Sequence, residues 1–228
     1  MKLFSKLKFF KIHLLALFLI SCTHEIRNHE TQALYAYQDE QTEYYGLKNA
    51  AGKVIIPAQY ETVYSGDFNS PLFVESSSSS RGNMYCLPTM IAVKKNNRTW
   101  WIDRAGKKLF ESFYFDNGPD YFKKGLSRIL KNNKFGFINK QGKVTIEPLY
   151  DFAGPFNDAG LANVCNGCWL SYPPSTKFSI AHGFACDAYG DIVGGKWGII
   201  SCTGQIVVPL VHSSYEEAQK HIPQRAEN

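Results

Sequence analysis

Apolar and polar positions alternate in short bursts along this chain, and the bursts recur. Val54 and Ile56, Val144 and Ile146, and Ile206 and Val208 each follow a period of two, as a half-buried strand requires. A glycine stands just before each burst, at Gly52, Gly142 and Gly204, and Gly106 occupies a similar setting. A short hairpin loop commonly ends on a left-handed residue, which Gly supplies without steric cost. Pro57, Pro148 and Pro209 then end the ladder, because Pro has no N–H to donate. Eight residues beyond each Gly stand Tyr60, Tyr114, Tyr150 and His212. Upstream, the pairs Tyr45-Gly46, Phe135-Gly136 and Trp197-Gly198 predict strands in which a neighbour approaches bare backbone. The segment "LSRILKNNKFGFIN" reads as strand, polar turn at Asn132-Asn133, strand. The predicted unit is therefore a three-stranded antiparallel meander, followed by an aromatic-rich connection that holds Phe68, Phe122 or Phe156.

Residues 44–60, 99–114, 134–150 and 196–212 align as four copies. The second departs: Trp101 stands where Gly is expected, Lys108 replaces an inward apolar residue, and the Pro is absent. With its aromatic-Gly pair and "INKQGKVTIEPLYDFAGPFNDAGLANV", the chain resembles the WG-repeat (KWG-type) family of bacterial proteins over about residues 34–212. That resemblance implies an all-β repeat protein and no particular chemistry. The expected fold is tandem antiparallel meanders in an open curved array, because four three-stranded units supply little sheet to close a ring, with propeller-like closure as the alternative. The loop glycines are 54, 36 and 62 residues apart. Taking the middle interval as uninterrupted leaves insertions of about 18 and about 26 residues, near 72–90 and 165–195. Both are expected at equivalent points of the repeat, and so on one side of the array. After residue 212, "SYEEAQKHIP" predicts a short helical cap within 213–228, with Ser214 as N-cap and Glu217 closing a capping box.

Composition changes this picture mainly at the N-terminus. Lys2, Lys6, Lys8 and Lys11 precede an apolar run too short to span a bilayer, so residues 1–21 read as a signal peptide. Leu19-Ile20-Ser21-Cys22 has the form of a lipobox, which marks Cys22 for lipidation and residues 22–33 as a flexible tether. The alternative is an ordinary signal peptide with a chance Cys. Without residues 1–21 the balance is 21 basic against 20 acidic residues, so the excess positive charge belongs to the export segment. No nucleic-acid partner is expected, since that needs a clustered basic face. The expected address is the bacterial cell envelope, anchored to the membrane by lipid. Thr23, in place of the Asp that retains some lipoproteins at the inner membrane, points to the outer membrane.

Cys86, Cys165, Cys168, Cys186 and Cys202 remain, an odd number in an oxidising compartment. Structural disulfides are the expectation, with Cys86 the candidate free thiol or long-range partner. A redox CxxC lacks its βαβ context, and a zinc ribbon would use two CxxC knuckles. Asn166-Gly167 between two cysteines predicts a tight type I′ turn with flanking Cα atoms about 5.5 Å apart. Trp169, Tyr172, His182 and Tyr189 make the second insertion the candidate binding surface, although such aromatics more often pack loops. His212, at the repeat's Tyr position, reads as a packed ring. His182 and Asp187 alone do not make a metal site, and no cofactor is implied. GxSxG, HExxH, Walker and GxGxxG motifs do not occur. The expectation is a non-enzymatic binding or scaffold module for an envelope protein or a cell-wall glycan. The alternatives are an envelope hydrolase using the Cys-rich insertion, and a structural surface lipoprotein without a specific ligand.

Overall fold

The computed structural model describes residues 33–64, 72, 87, 89–115, 118–172, 176–178 and 191–223. The signal segment, Cys22, Cys86, His182, Cys186, Asp187 and Tyr189 lie outside the described residues, as does most of the first insertion. Four meanders follow one another. Unit 1 is β1 (Leu34–Gln38), β2 (Tyr45–Asn49) and β3 (Val54–Tyr60), and unit 2 is β5 (Ile91–Lys95), β6 (Arg98–Ile102) and β7 (Lys108–Ser112). Unit 3 is β10 (Leu126–Lys131), β11 (Lys134–Asn139) and β12 (Val144–Tyr150). Unit 4 is β14 (Leu161–Tyr172), β16 (Asp191–Ser201) and β17 (Ile206–His212). Short strands lie between units: β4 (Thr62–Val63), β8 (Tyr114–Phe115), β9 (Gly118–Pro119) and β13 (Phe152–Ala153). Strand β15 (Thr176–Phe178) folds back on β14.

The loop before each third strand is built the same way in all four units. Three residues ahead of the glycine stand Asn49, Asp103, Asn139 and Ser201, whose side-chain oxygens accept from the N–H of Lys53, Lys107, Lys143 and Gln205 at 2.9–3.2 Å. The glycine N–H donates back to the same residue's carbonyl. This is a side-chain mimic of a backbone turn, and it ends at φ +79°, +87°, +74° and +83° on Gly52, Gly106, Gly142 and Gly204. A second reason for glycine is packing between units. A Cβ on Gly106 would lie 3.2 Å from Ile56 of unit 1, and one on Gly204 3.3 Å from Ile146 of unit 3.

Register explains the aromatic-Gly pairs. In unit 3, Phe135 pairs with Tyr150 while Phe137 pairs with Ile146, so β12 carries two more residues than β11 over that span. Tyr45, Leu47, Tyr60 and Ile56 repeat this in unit 1, as do Trp197, Ile199, His212 and Val208 in unit 4. The bulged strand presses its backbone onto the glycine: a Cβ on Gly46, Gly136 or Gly198 would sit 2.6 Å from the carbonyl oxygen of Ile56, Ile146 or Val208. Glycine and proline are thus two halves of one device, since Pro57, Pro148 and Pro209 lie in the bulged stretch that needs no ladder N–H.

Unit 2 lacks both halves. Counted back from the loop glycine, the residue in the glycine slot is Trp100, not Trp101 as the sequence alignment suggested; Trp101 matches the buried Phe137. With a side chain in the slot the two-residue bulge beside it is absent, and Trp100 and Trp101 pair in step with Glu111 and Phe110; the one-residue shift that follows, between Trp101 and Ile102, is kept, as it is between Phe137 and Ile138. Lys108 does not replace an inward residue either. Its counterparts Val54 and Ile206 are about half exposed, and its ammonium lies 3.8 Å from the centre of the Trp100 ring. Tyr114 is likewise no counterpart of the buried Tyr60 and Tyr150, because it belongs to β8 and pairs with Pro119.

The first strand of each later unit receives a strand from the unit before. β4 pairs with β5, β7 itself with β10, and β13 with β14. The second of these merges units 2 and 3 into one seven-stranded antiparallel sheet. Among the described residues the sheets are open and no barrel closes. Apolar residues bury across unit boundaries. Leu47 and Ile56 of unit 1 join Ile91 and Ile102 of unit 2, Trp101 joins Ile129 and Ile138 of unit 3, and Phe135 and Ile146 join Trp197 and Val208 of unit 4. A single meander could not bury these faces alone.

Two expectations about the insertions change. The first precedes β5 whereas the second interrupts the turn between β14 and β16, so they leave opposite ends of the first strand. Landmark spacing could not reveal which end carries extra residues. Nor does Asn166-Gly167 reverse the chain: β14 runs through it, paired with β16 from Leu161↔Ser201 to Ser171↔Asp191 in one register. Gly167 keeps the left-handed φ (+77°) that the two-residue turns use, yet the strand continues outward because the insertion lengthens the hairpin. After β17, helix α1 (Tyr215–Gln219) is capped by the Ser214 hydroxyl, which accepts from Glu217 N–H at 3.1 Å. Glu217 closes the box on Ser213 rather than on Ser214, accepting from its N–H at 2.8 Å.

Candidate functional site

The departure of unit 2 from its neighbours coincides with a groove. Trp100, Glu111 and Leu130 form a cross-strand row over β6, β7 and β10, with Arg98 at one end and the Asn132-Asn133 turn at the other. The groove encloses about 460 Å³, within the roughly 300–1,000 Å³ usual for small-ligand sites. Its lining is apolar at Trp100, Leu109, Phe110 and Leu130 and polar at Arg98, Glu111, Lys131, Asn132 and Asn133. Arg98 Nη1 lies 3.3 Å from Glu111 Oε2, an exposed pair that fixes the carboxylate in this lining. Asn132 and Asn133 adopt φ of +52° and +60°, the left-handed pair of a type I′ turn, as expected from the sequence. Sequence reading missed this groove. Its available signal was the loss of both Gly and Pro from one copy, which removes the bulge and lets β7 run straight to β10.

A buried ion pair, also unread in the sequence, is anchored on β10 two residues from the groove-lining Leu130. Arg128 Nε and Nη2 donate to Asp120 Oδ2 and Oδ1 at 2.8 and 2.6 Å, and Arg128 N–H adds a third bond at 3.0 Å. Arg128 Nη1 reaches the Ala153 carbonyl at 3.3 Å, and the guanidinium lies 4.5 Å from the centre of the Phe113 ring. Both charged side chains are about 97% removed from solvent. The pair ties the merged sheet to β13, and its hydrogen bonds satisfy both charges.

The sequence-predicted surface is described only at its base. Cys165 and Cys168 form a disulfide across a Cα separation of 6.2 Å, while Cys202 is an exposed free thiol. Asp151 Oδ2 accepts from Gly167 N–H at 2.8 Å and Asp151 Oδ1 meets Lys134 Nζ at 2.6 Å, which holds the hairpin where it leaves the array. Gly194 and Gly195 face this point with φ +73° each, and the Trp197 indole donates to the Gly194 carbonyl at 2.9 Å. A Cβ on Gly194 would collide with the Trp169 ring, so Trp169 lies over bare backbone, half-buried. Tyr172 ends β14, and His182 and Tyr189 fall outside the described residues. His212 takes the repeat's Tyr position opposite Trp197, stacks on His221 at 4.4 Å, and has Nδ1 3.8 Å from Glu217. Burial pushes the phenols of Tyr60 and Tyr150 above their ordinary range, so both pack as neutral rings.

The comparisons with known proteins fit this geometry. A family model described as WG containing repeat matches residues 45–73 and 135–167. Each match starts on the aromatic of an aromatic-Gly pair and runs through the bulged strand into or beyond the strand donated to the next unit. No curated protein and no solved structure matches the chain. Residues 45–73 and 135–167 of this all-β chain are thus similar to WG containing repeats, which the chain carries at these two places.

Proposed function

We propose that the protein is a lipid-anchored recognition module of the bacterial cell envelope, in which the repeat array is a rigid frame and the groove beside β7 binds cell-wall glycan. The observation that carries this reading is the composition of the groove. A guanidinium, a carboxylate and two amides converge beside apolar side chains, and together they offer the donors and acceptors that a hydroxyl-rich chain requires. The lipobox at 19–22 supports the anchor. Binding, rather than catalysis, is the proposed activity. A retention assay on purified peptidoglycan tests it: the parent chain should sediment with the glycan, and Glu111→Ala and Asn133→Gly should reduce that several-fold. Equal retention of all three would sink the glycan reading. Metabolic labelling with an alkyne fatty acid tests the anchor, which Cys22→Ala should abolish.

A second reading, contact between residues 165–195 and an envelope protein, is favoured by the way β14 and β16 extend past the array with Trp169 on one strand. Deleting 165–195 should then weaken crosslinking to envelope proteins in cells while glycan retention persists.

A further inference from the structure

The groove beside β7 is electrically lopsided. Trp100 and Leu130 oppose Glu111 from its two sides, so β6 and β10 flank β7 in step. Arg98, two residues before Trp100, stands towards one end, and its guanidinium pairs with the Glu111 carboxylate. In the other direction β10 runs on through Lys131 into the Asn132-Asn133 turn, alongside the start of β7 at Lys108. The Lys108 ammonium lies over the Trp100 ring, 3.8 Å from its centre, so this lysine sits on the face that carries the groove. Lys108 and Lys131 are both exposed. One end of the groove thus holds a neutralised pair, and the other holds two lysines beside two carboxamides.

Hydrogen-bonding capacity divides the same way. Glu111 is the one acid in the lining, and its Oε2 already accepts from Arg98 at 3.3 Å. A lysine donates three hydrogen bonds and accepts none. The Trp100 indole N–H, buried in the lining, has no partner among the described residues. The lysine end is therefore rich in donors and in positive charge. It suits a ligand group that accepts and is negative, and a cleft of one sign concentrates such a ligand.

We propose that the groove reads charge as well as hydroxyls, taking a glycan segment whose sugar bears a free carboxylate. The carboxylate sits between Lys108 and Lys131, and neighbouring hydroxyls meet Glu111 and Arg98. The inference rests on the glycan reading above and narrows its ligand. In cell-wall glycan the sugar carboxylate is that of the muramic acid lactyl ether, and an attached peptide converts it to an uncharged amide. The ligand is then the stretch of glycan from which peptide has been removed.

The test titrates the full-length chain with N-acetylglucosaminyl-N-acetylmuramic acid and with the same disaccharide carrying a primary amide in place of the lactyl carboxylate. Backbone amide shifts at Asn132 and Asn133 report binding. The acid should bind about fivefold more tightly than the amide, a margin set by one or two exposed ion pairs. Raising the salt to about 0.5 M should shrink that margin, since exposed charges are screened over a few ångströms there. Lys108→Gln with Lys131→Gln should remove the preference for the acid. Equal binding of acid and amide by the parent chain would overturn the proposal and leave the glycan reading standing. So would a preference that survives in the double variant, because the charge would then be read elsewhere. Binding of neither disaccharide would sink both.

Discussion

At the junction of units 3 and 4, the bulged β12 ends at Tyr150, Asp151 turns the chain onto the base of the next hairpin, and the two-residue β13 covers β14. The junction of units 1 and 2 repeats this with Tyr60, Glu61 and β4. At the junction of units 2 and 3 those parts are missing. Strand β7, which lacks the two-residue bulge of β3, β12 and β17, serves both as the third strand of unit 2 and as the cover of β10, and its Glu111 and Ser112 do what Phe152 and Ala153 do elsewhere. The connection that follows, freed from covering the strand, folds into β8 and β9 and delivers Asp120 to Arg128. A repeat can therefore couple to its neighbour through a bulge and a capping acid or through a continuous strand and a buried ion pair. The second route leaves a groove where the first would place backbone.

The largest effect should come from breaking the ion pair. Arg128→Met strands Asp120 in the core and should cost about 3–5 kcal/mol, read as a lower urea midpoint with an unchanged slope. The double variant Asp120→Leu with Arg128→Met should recover most of the loss, because no unpaired charge remains. If the single variant were as stable as the parent, the merged sheet would not depend on the pair.

The glycine slot should give the next effect, and it should distinguish the units. Gly136→Ala places a Cβ against the Ile146 carbonyl and the Pro148 nitrogen, both 2.6 Å away, and should cost about 1–3 kcal/mol. Gly46→Ala and Gly198→Ala should behave alike. Trp100→Ala meets no bulge and should leave the Trp101–Phe110 pairing intact, checked by cross-strand NOEs. A smaller effect is expected at the capping acid. Asp151→Ala removes one hydrogen bond to Gly167 and the contact with Lys134, worth about 1 kcal/mol together, and should speed amide exchange at Gly167.

These devices differ in how far the sequence displays them. Loop glycines and period-two alternation are local, so the meanders, the Asn132-Asn133 turn and the open antiparallel array were all legible. The Asn, Asp or Ser three residues before each loop glycine was equally visible and went unread. The pair Trp100-Trp101 has the look of an aromatic-Gly pair with its second residue replaced, whereas the six-residue distance to the loop glycine places Trp100 in the slot. Cys165-Asn166-Gly167-Cys168 has the composition of a turn, and only the ten-pair register with β16 shows that the chain runs on. Asp120 and Arg128 could not be paired from sequence. Their meeting requires β7 to pair with β10, which itself follows from the absence of a bulge.

The smallest effect concerns the cap after unit 4, where α1 packs on β16 and β17 and Ala218 is buried in the same cluster as Val208. Hydrogen bonds from the Ser213 hydroxyl and N–H hold the Glu217 carboxyl below its ordinary value of 4.5, helped by His212, and Glu216 is lowered by its own backbone N–H and by Ser214. A carboxylate lowered on folding favours the folded cap above its unfolded value, and that contribution is lost as pH falls through the lowered one. Acidification from pH 5 to the lowered values should therefore loosen α1 before the meanders, while neutral and alkaline pH leave it unchanged. Both groups are fully exposed, so the change should be modest and local, visible as a lower protection factor, corrected for the intrinsic exchange rate at each pH, for the Ala218 amide, whose N–H donates to the Ser214 carbonyl at 3.1 Å. Glu217→Gln should flatten that pH dependence. An Ala218 protection factor that falls on acidification equally in parent and variant would show that Glu217 does not hold the cap.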